Sequence, residues 1–339
     1  MVPRKPAGTR VADSVDWKAK VAVQFCLAHV PGGERLNYAL QTLRKSRSRE
    51  KTQARVVKLA EMIALVRRFV ELDGASVVEV GTGWDAINAI MLSLLGANTV
   101  YTFDHVRHVR RAEVAKTIEA IQDSLDEIAV ATSVPVPTLR KRVRLMASAS
   151  SLDSLFQSAG IAYRAPGDAA QTALPDASVD LFYSYAVLEH VPDEVVGALT
   201  RESRRVLKRD GVAFHAIGEH DHYVDFDATI SKVNFLQYPE WAWKLFVKNG
   251  ISYHNRMREK QFLDLFTSHG AHVRFLRSFV DDRDLDALTT MKIDRRFSGM
   301  SAHELAVNRT EVIFGFASEM GKLAVAETVR DHAHAAAAR

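Results

Sequence analysis

The stretch SVVEVGTGWDAINA, residues 76–89, runs as a short β-rich segment, turns on two glycines and enters an apolar-periodic segment. Gly81 and Gly83 let the backbone turn tightly and approach a ligand closely. The helix expected over 84–96 presents free N–H groups at its start. Gly81-x-Gly83-x-x-Ala86 satisfies the loose form of the dinucleotide fingerprint. Asp104 follows Gly83 by 21 positions and ends the next strand segment, NTVYTFD (98–104), where a carboxylate can accept bonds from both ribose hydroxyls. Two glycines alone are a weak signal, and an acid at a strand end is often only a helix cap.

The pattern continues outward from that turn. Charged, helix-forming residues fill 106–160 around a breaker at 135–137. Weak strand residues follow at 161–166, a buried strand at 178–187 and an amphipathic helix at 193–207. The turn Arg209-Asp210-Gly211 leads into strand 211–218, and a polar and aromatic insertion occupies 219–256. A helix over 258–269, a strand over 271–280 and a last strand over 310–318 complete the series. Strand-then-helix alternation gives a mainly parallel sheet with helices on both faces. Ligands of such sheets sit outside the carboxyl ends of the strands, where the first turn lies.

Composition narrows the class further. The chain has 339 residues, 47% of them hydrophobic, and no apolar run reaches the roughly 20 residues that span a bilayer. Cys26 is the only cysteine, which excludes an intramolecular disulfide and fits a reducing, cytoplasmic setting. The overall charge of +4 is uneven, because residues 1–70 carry 15 Lys/Arg against 5 Asp/Glu. A basic N-terminal arm can face an anionic substrate, a nucleic acid or an acidic surface, or it can simply be a solvated helix face.

Three features separate the uses of the glycine turn. Glu79 lies inside the first strand, two residues before Gly81, a poor place for an acid beside a pyrophosphate but a good one beside a cationic amino-acid moiety. Gly167-Asp168-Ala169 follows the third strand and can bond an adenine edge. LPDASVDLFYSYAVLEHV (174–191) sets a Pro-Asp turn before a buried strand. Together, residues 77–104, 163–191 and 199–218 resemble class I S-adenosylmethionine-dependent methyltransferases. A closer resemblance, over about 20–318, is to a bacterial subgroup associated with saccharide or envelope-glycan pathways, although Asp85 stands where that subgroup's loop has a small or apolar residue.

The resemblance implies a Rossmann-like fold: a seven-stranded, mostly parallel sheet with an antiparallel last strand, helices on both faces and an N-terminal helical arm. It divides the chain into an arm or lid (1–73), a methyltransferase domain (74–320) with a helical insertion at 106–160 and a lid-like insertion at 219–256, and a flexible tail (321–339). It implies that S-adenosyl-L-methionine binds and leaves as S-adenosyl-L-homocysteine. The backbone of Gly81, Thr82 and Gly83 would meet the carboxypropyl tail, Glu79 would orient the turn, and Asp104 would bond the ribose. Asp168 and Ala169 would bond the adenine, and Ser184 and Tyr185 would flank the sulfonium. Glu79 can alternatively be a structural acid bonding the loop.

An oxygen acceptor needs a general base, and histidine serves near neutral pH. The candidates are His190, after strand four, and His220-Asp221-His222, after strand five, in which Asp221 could orient an imidazole. His215, within strand five, reads as a core or crevice-wall residue. Some O-methyltransferases hold a divalent metal through Glu-x-x-Glu-His and a later histidine. Here the first glutamate is missing from Ala186-Val187-Leu188-Glu189-His190, though His220, Asp221 or His222 could complete a site, so a divalent metal is allowed rather than expected, and Glu189 and His190 can equally cap the next helix. The aromatic residues of the insertion, among them Tyr223, Phe226, Phe235, Tyr238, Trp241, Trp243 and Phe246, suit either stacking on an acceptor or a satellite core.

The expected activity is therefore O-methylation of a small-molecule or saccharide acceptor. An RNA methyltransferase is the alternative raised by the basic arm, but the arm lacks stacking aromatics interleaved with its charges. A nicotinamide-dependent oxidoreductase and a non-catalytic binding fold stand further off. The acceptor and the oligomeric state are not written in the sequence.

Overall fold

The computed structural model describes residues 16–33, 36, 49–246, 253–317 and 325–330. Residues 1–15, 34–35 and 37–48 of the expected arm, 247–252 of the expected lid-like insertion, and 318–324 and 331–339 near the end of the chain lie outside the described residues. Among the described residues two helices precede the sheet, α1 (Trp17–Ala28) and α2 (Arg49–Val66). Asp16 starts α1 by accepting the Lys18 and Ala19 N–H groups, which helix geometry otherwise leaves unpaired.

The alternation then proceeds as β1 (Ser76–Val80), α3 (Ile87–Leu94), β2 (Thr99–Phe103), α4 (Arg111–Asp123), α5 (Leu125–Thr132), α6 (Val136–Ala147), α7 (Leu152–Ser158), β3 (Ile161–Arg164), β4 (Val179–Tyr185), α8 (Asp193–Val206) and β5 (Leu207–Gly218). After the insertion come α9 (Glu240–Phe246), α10 (Glu259–Ser268), β6 (His272–Val280), α11 (Asp282–Thr290), α12 (Ala302–Ala306), β7 (Val307–Gly315) and β8 (Val325–Arg330).

The strands lie in the order β3-β2-β1-β4-β5-β7-β6-β8. β1 to β5 pair in parallel, and β7 inserts antiparallel between β5 and β6. The sheet is thus mostly parallel with one antiparallel strand, as expected, but it has eight strands rather than seven. Val325–Arg330, inside the stretch read as a flexible tail, pairs in parallel along β6. The expected turn at Arg209-Asp210-Gly211 is absorbed into a longer β5, where the register to β4 shifts between Val179 and Leu181.

Alternation of side chains divides the core. Val77, Leu181, Tyr183, Val212 and Phe214 face one apolar layer with α2 and α3 to α7. Val78, Phe182, Ala213, Val312 and Phe314 face the other with α8 and α10. A third cluster joins Val21 of α1 to Tyr223, Phe235, Trp243 and Phe297, so the aromatic insertion is in good part a satellite core. Trp17 seals it, 5.3 Å from Tyr238 and 5.8 Å from Tyr223, while Trp241 stays exposed. Among the described residues no helix is long and apolar enough to cross a membrane.

Candidate active site

The order reverses between β1 and β4, so the loops after these strands open a crevice at their carboxyl ends. Gly81 takes φ +83° and donates its N–H to the Phe103 carbonyl at 2.9 Å. A Cβ at this position would lie 2.5 Å from Cγ2 of Val187, so the two loops meet too closely for any other residue. Thr82 is buried, and its hydroxyl bonds that of Thr102 at 2.6 Å. Gly83 donates its N–H to the Asp104 carboxylate at 3.2 Å, and a Cβ there would meet open space.

Glu79 is wholly buried between β2 and β4, in register with Thr102 and Tyr183. Its oxygens lie near the Thr102 hydroxyl and the Asn88 amide without a hydrogen bond of normal geometry, and burial pushes its carboxyl up to about 8. Asp168 is exposed and accepts the Ala170 N–H at 2.8 Å, while Ala169 is buried.

Ser184 and Tyr185 do not meet at one spot, because successive strand residues point to opposite faces. The Ser184 hydroxyl is fully buried and bonds Nδ1 of His215 at 2.7 Å. His215 in turn packs on Phe266, with ring centres 5.5 Å apart, and is a core residue. Tyr185 instead lines a cavity of about 400 Å³ with Ala186, Glu189, Gly218, His220, His222, Lys232 and Arg309.

The cavity borders a cluster of four imidazoles. Ring centres are 4.9 Å apart for His190 and His222, 4.6 Å for His220 and His222, and 4.8 Å for His222 and His254. Nδ1 of His190 donates to the Tyr253 carbonyl at 2.9 Å, which leaves Nε2 as the acceptor nitrogen. Burial lowers the pKa of His190, and burial followed by the neighbouring imidazoles lowers that of His222. Both rings are therefore neutral at pH 7. Burial pushes Glu189 up to about 8, and its Oε1 accepts the Gly218 N–H at 3.1 Å.

Asp221 does not orient the histidines beside it. It is buried, and its oxygens accept the Tyr223 N–H at 2.9 Å and the Asn234 amide at 2.9 Å. Its acidity is held near 6 by burial, against those two bonds. It shapes the loop that carries His222.

The sequence reading missed three features: the partner of Asp85, two buried arginines and a fourth histidine. Asp85 is buried and pairs with Arg55 of α2 at 2.7 Å, tying the N-terminal helix to the glycine turn. Arg256 and Arg258 are both fully buried. Arg256 bonds the Tyr238 carbonyl at 2.6 Å and Glu240 at 2.5 Å, while Arg258 bonds the carbonyls of Glu219, Leu305 and Val307. His254 joins the imidazole cluster from a point 32 residues after His222, and only tertiary structure reveals that proximity.

Residues 139–215 match the family model described as a methyltransferase domain. No curated protein matches the chain. Solved structures to which the chain is similar include the geranyl diphosphate C-methyltransferase of Streptomyces coelicolor A3(2), 11% identical, with 80% of this chain and 86% of that one covered at a TM-score of 0.41. An S-adenosylmethionine-dependent methyltransferase from Mesorhizobium loti is 17% identical, with 75% and 97% covered and a TM-score of 0.39. Another, from Methanosarcina mazei, is 14% identical, with 75% and 98% covered and a TM-score of 0.42. Residues 139–215 are thus similar to a methyltransferase domain, and they contribute strands to the sheet whose order reverses between β1 and β4.

Proposed function

We propose that the chain methylates an oxygen of a small-molecule or saccharide acceptor held in the cavity beside Tyr185. The observation that carries this reading is the buried, unpartnered Glu79 at the glycine turn together with the imidazoles at the adjoining strand ends. The crevice residues fit S-adenosylmethionine. The buried Glu79 has no hydrogen-bond partner, open space lies over Gly83, and Asp104 stands at the end of β2. When bound, S-adenosylmethionine supplies a sulfonium-activated methyl group that an acceptor nucleophile displaces in line.

The protein's part is positioning and proton removal. Glu79 orients the turn and loses its proton as the ammonium of the methionine portion settles beside it, the Gly81–Gly83 backbone follows the carboxylate end, Asp104 takes the ribose, and Asp168 with Ala169 takes the adenine. Tyr185 forms the wall between the two ligands. As the acceptor oxygen forms its new bond to carbon, its proton passes to a cavity imidazole, His220 or His222, each of which lines the space. Lys232 and Arg309 on the same wall favour an acceptor that also carries an acidic group.

The test is calorimetric titration with S-adenosylhomocysteine. The wild type binds it, and Asp104→Ala weakens binding about 100-fold, the worth of two charge-assisted hydrogen bonds at about 1.5 kcal/mol each. No binding at millimolar concentration, or binding indifferent to Asp104→Ala, rejects the reading.

A further inference from the structure

We infer that Glu189, His190 and His222 form a site for a divalent transition-metal ion at the edge of the acceptor cavity. One ligand atom from each of the three lies within 4.8 Å of the other two. That is slightly wider than the roughly 3–4 Å spacing around an ion with bonds of about 2.0–2.2 Å, and small side-chain rotations close the difference. Glu189 belongs to the short 3-10 turn after β4, and His222 begins the one after β5, so two neighbouring strand ends supply the set.

Two of the three ligands are already oriented by a second contact. The Gly218 N–H holds Oε1 of Glu189, and Oε2 is left wholly buried with no hydrogen-bond partner. The side chain belongs to a residue only 1% exposed, so that unpaired oxygen is a costly arrangement without a cation. The Tyr253 carbonyl fixes the His190 tautomer and presents Nε2. This is the outer contact that metal-bound imidazoles usually make. Nδ1 of His222 is also buried and unpartnered.

Two imidazoles and one carboxylate suit Zn²⁺, Co²⁺, Ni²⁺ or Fe²⁺ better than Mg²⁺ or Ca²⁺, which favour all-oxygen sets. Three protein ligands leave at least one open position. Glu189 and His222 also line the cavity, so that position faces the acceptor. An acceptor hydroxyl bound there loses its proton more readily. With His190 and His222 engaged, proton removal falls to His220, which stacks on His222. This catalytic meaning rests on the methyl-transfer reading, whereas the metal site itself does not.

The experiment strips the full chain with a chelator and titrates it with Co²⁺ alone, reading visible d–d absorption and bound metal. S-adenosylhomocysteine affinity, measured on the same samples, reports whether each variant is folded. One equivalent of Co²⁺ is expected for the wild type. Glu189→Gln and His222→Asn each weaken it at least about 100-fold, the upper end of what loss of an outer contact costs. Both variants keep S-adenosylhomocysteine affinity, and His272→Asn, an exposed histidine outside the cluster, keeps Co²⁺ affinity. No Co²⁺ uptake by wild-type protein that binds S-adenosylhomocysteine overturns the metal site alone. Co²⁺ uptake unchanged in both ligand variants overturns it as well. Co²⁺ uptake that depends on Glu189 and His222, in protein that ignores S-adenosylhomocysteine, supports the site and removes the methyl-donor reading.

Discussion

Replacing Arg258 by Met should be among the most damaging single changes in the protein. The guanidinium is fully buried and donates to the carbonyls of Glu219 at 2.5 Å, Leu305 at 3.1 Å and Val307. Methionine fills the volume of the stem but leaves all three carbonyls dry and unpaired, at about 1–3 kcal/mol each. The nearby Glu219 carboxyl, 3.9 Å away, is pushed up to about 8 by burial despite Arg258, so it is largely protonated and adds little stranded charge. The expected loss is about 3–5 kcal/mol, the range for breaking a buried ionic group out of its partners. With a urea m-value of about 3 kcal/mol/M, the unfolding midpoint falls by about 1–2 M. Because Arg258 holds the backbone at Glu219, just before His220 and His222, the surviving folded protein should keep S-adenosylhomocysteine affinity while the cavity histidines loosen. Urea unfolding followed by fluorescence and far-UV dichroism measures the first effect. A loss below about 1 kcal/mol would refute the reasoning, because it would mean that the three carbonyls find other donors.

Two further predictions follow from the crevice and the core. Gly81→Ala adds a Cβ at φ +83° and 2.5 Å from Val187, and should weaken S-adenosylhomocysteine binding about 10-fold or more; Gly74→Ala, at φ +78° with nothing within 4 Å, should cost stability without touching that affinity. His215 is held neutral by burial, its pKa lowered to about 3, so the unfolded chain takes up a proton near 6.5 that the folded chain refuses. Stability contributed by neutral His215 is complete above pH 6.5 and is lost as the pH falls below it, at about 1.4 kcal/mol per pH unit. His215→Gln, which keeps a partner for Ser184, should therefore appear about 2 kcal/mol less destabilising at pH 5 than at pH 7 in urea unfolding. An unchanged difference would place the His215 pKa near its ordinary value.

The parts of the fold legible in the sequence were those fixed by local chemistry. Val77, Val78 and Val80 announce β1, Gly81 and Gly83 its turn, and Asp104 the end of β2, because strand, turn and cap preferences act within a few residues. Adjacent residues on a strand mislead when a function is assigned to both, and Ser184 and Tyr185 part to opposite faces for that reason. Buried arginines are invisible for a different one. Arg256 and Arg258 sit in YHNRMREK, a stretch that looks like solvated surface, and only the folded carbonyls around them explain their burial. Asp85 looked like a departure within the cofactor loop until Arg55, 30 positions earlier, supplied its partner. Glu189, His190 and His222 could be picked out as chemistry-bearing groups on loops expected to face one crevice, but His254 joins them only through the path of the insertion.

The outermost strand has a consequence for handling the protein. β8 covers Phe275–Val280 of β6 along six register positions, and Glu327 anchors it to Arg277 at 2.8 Å. A chain shortened before Val325 would bare that flank of β6, with Phe275, Leu276, Phe279 and Val280 beside a row of open backbone donors and acceptors. Such a flank zips readily onto a second molecule. Trimming that strand would thus leave a self-templating edge.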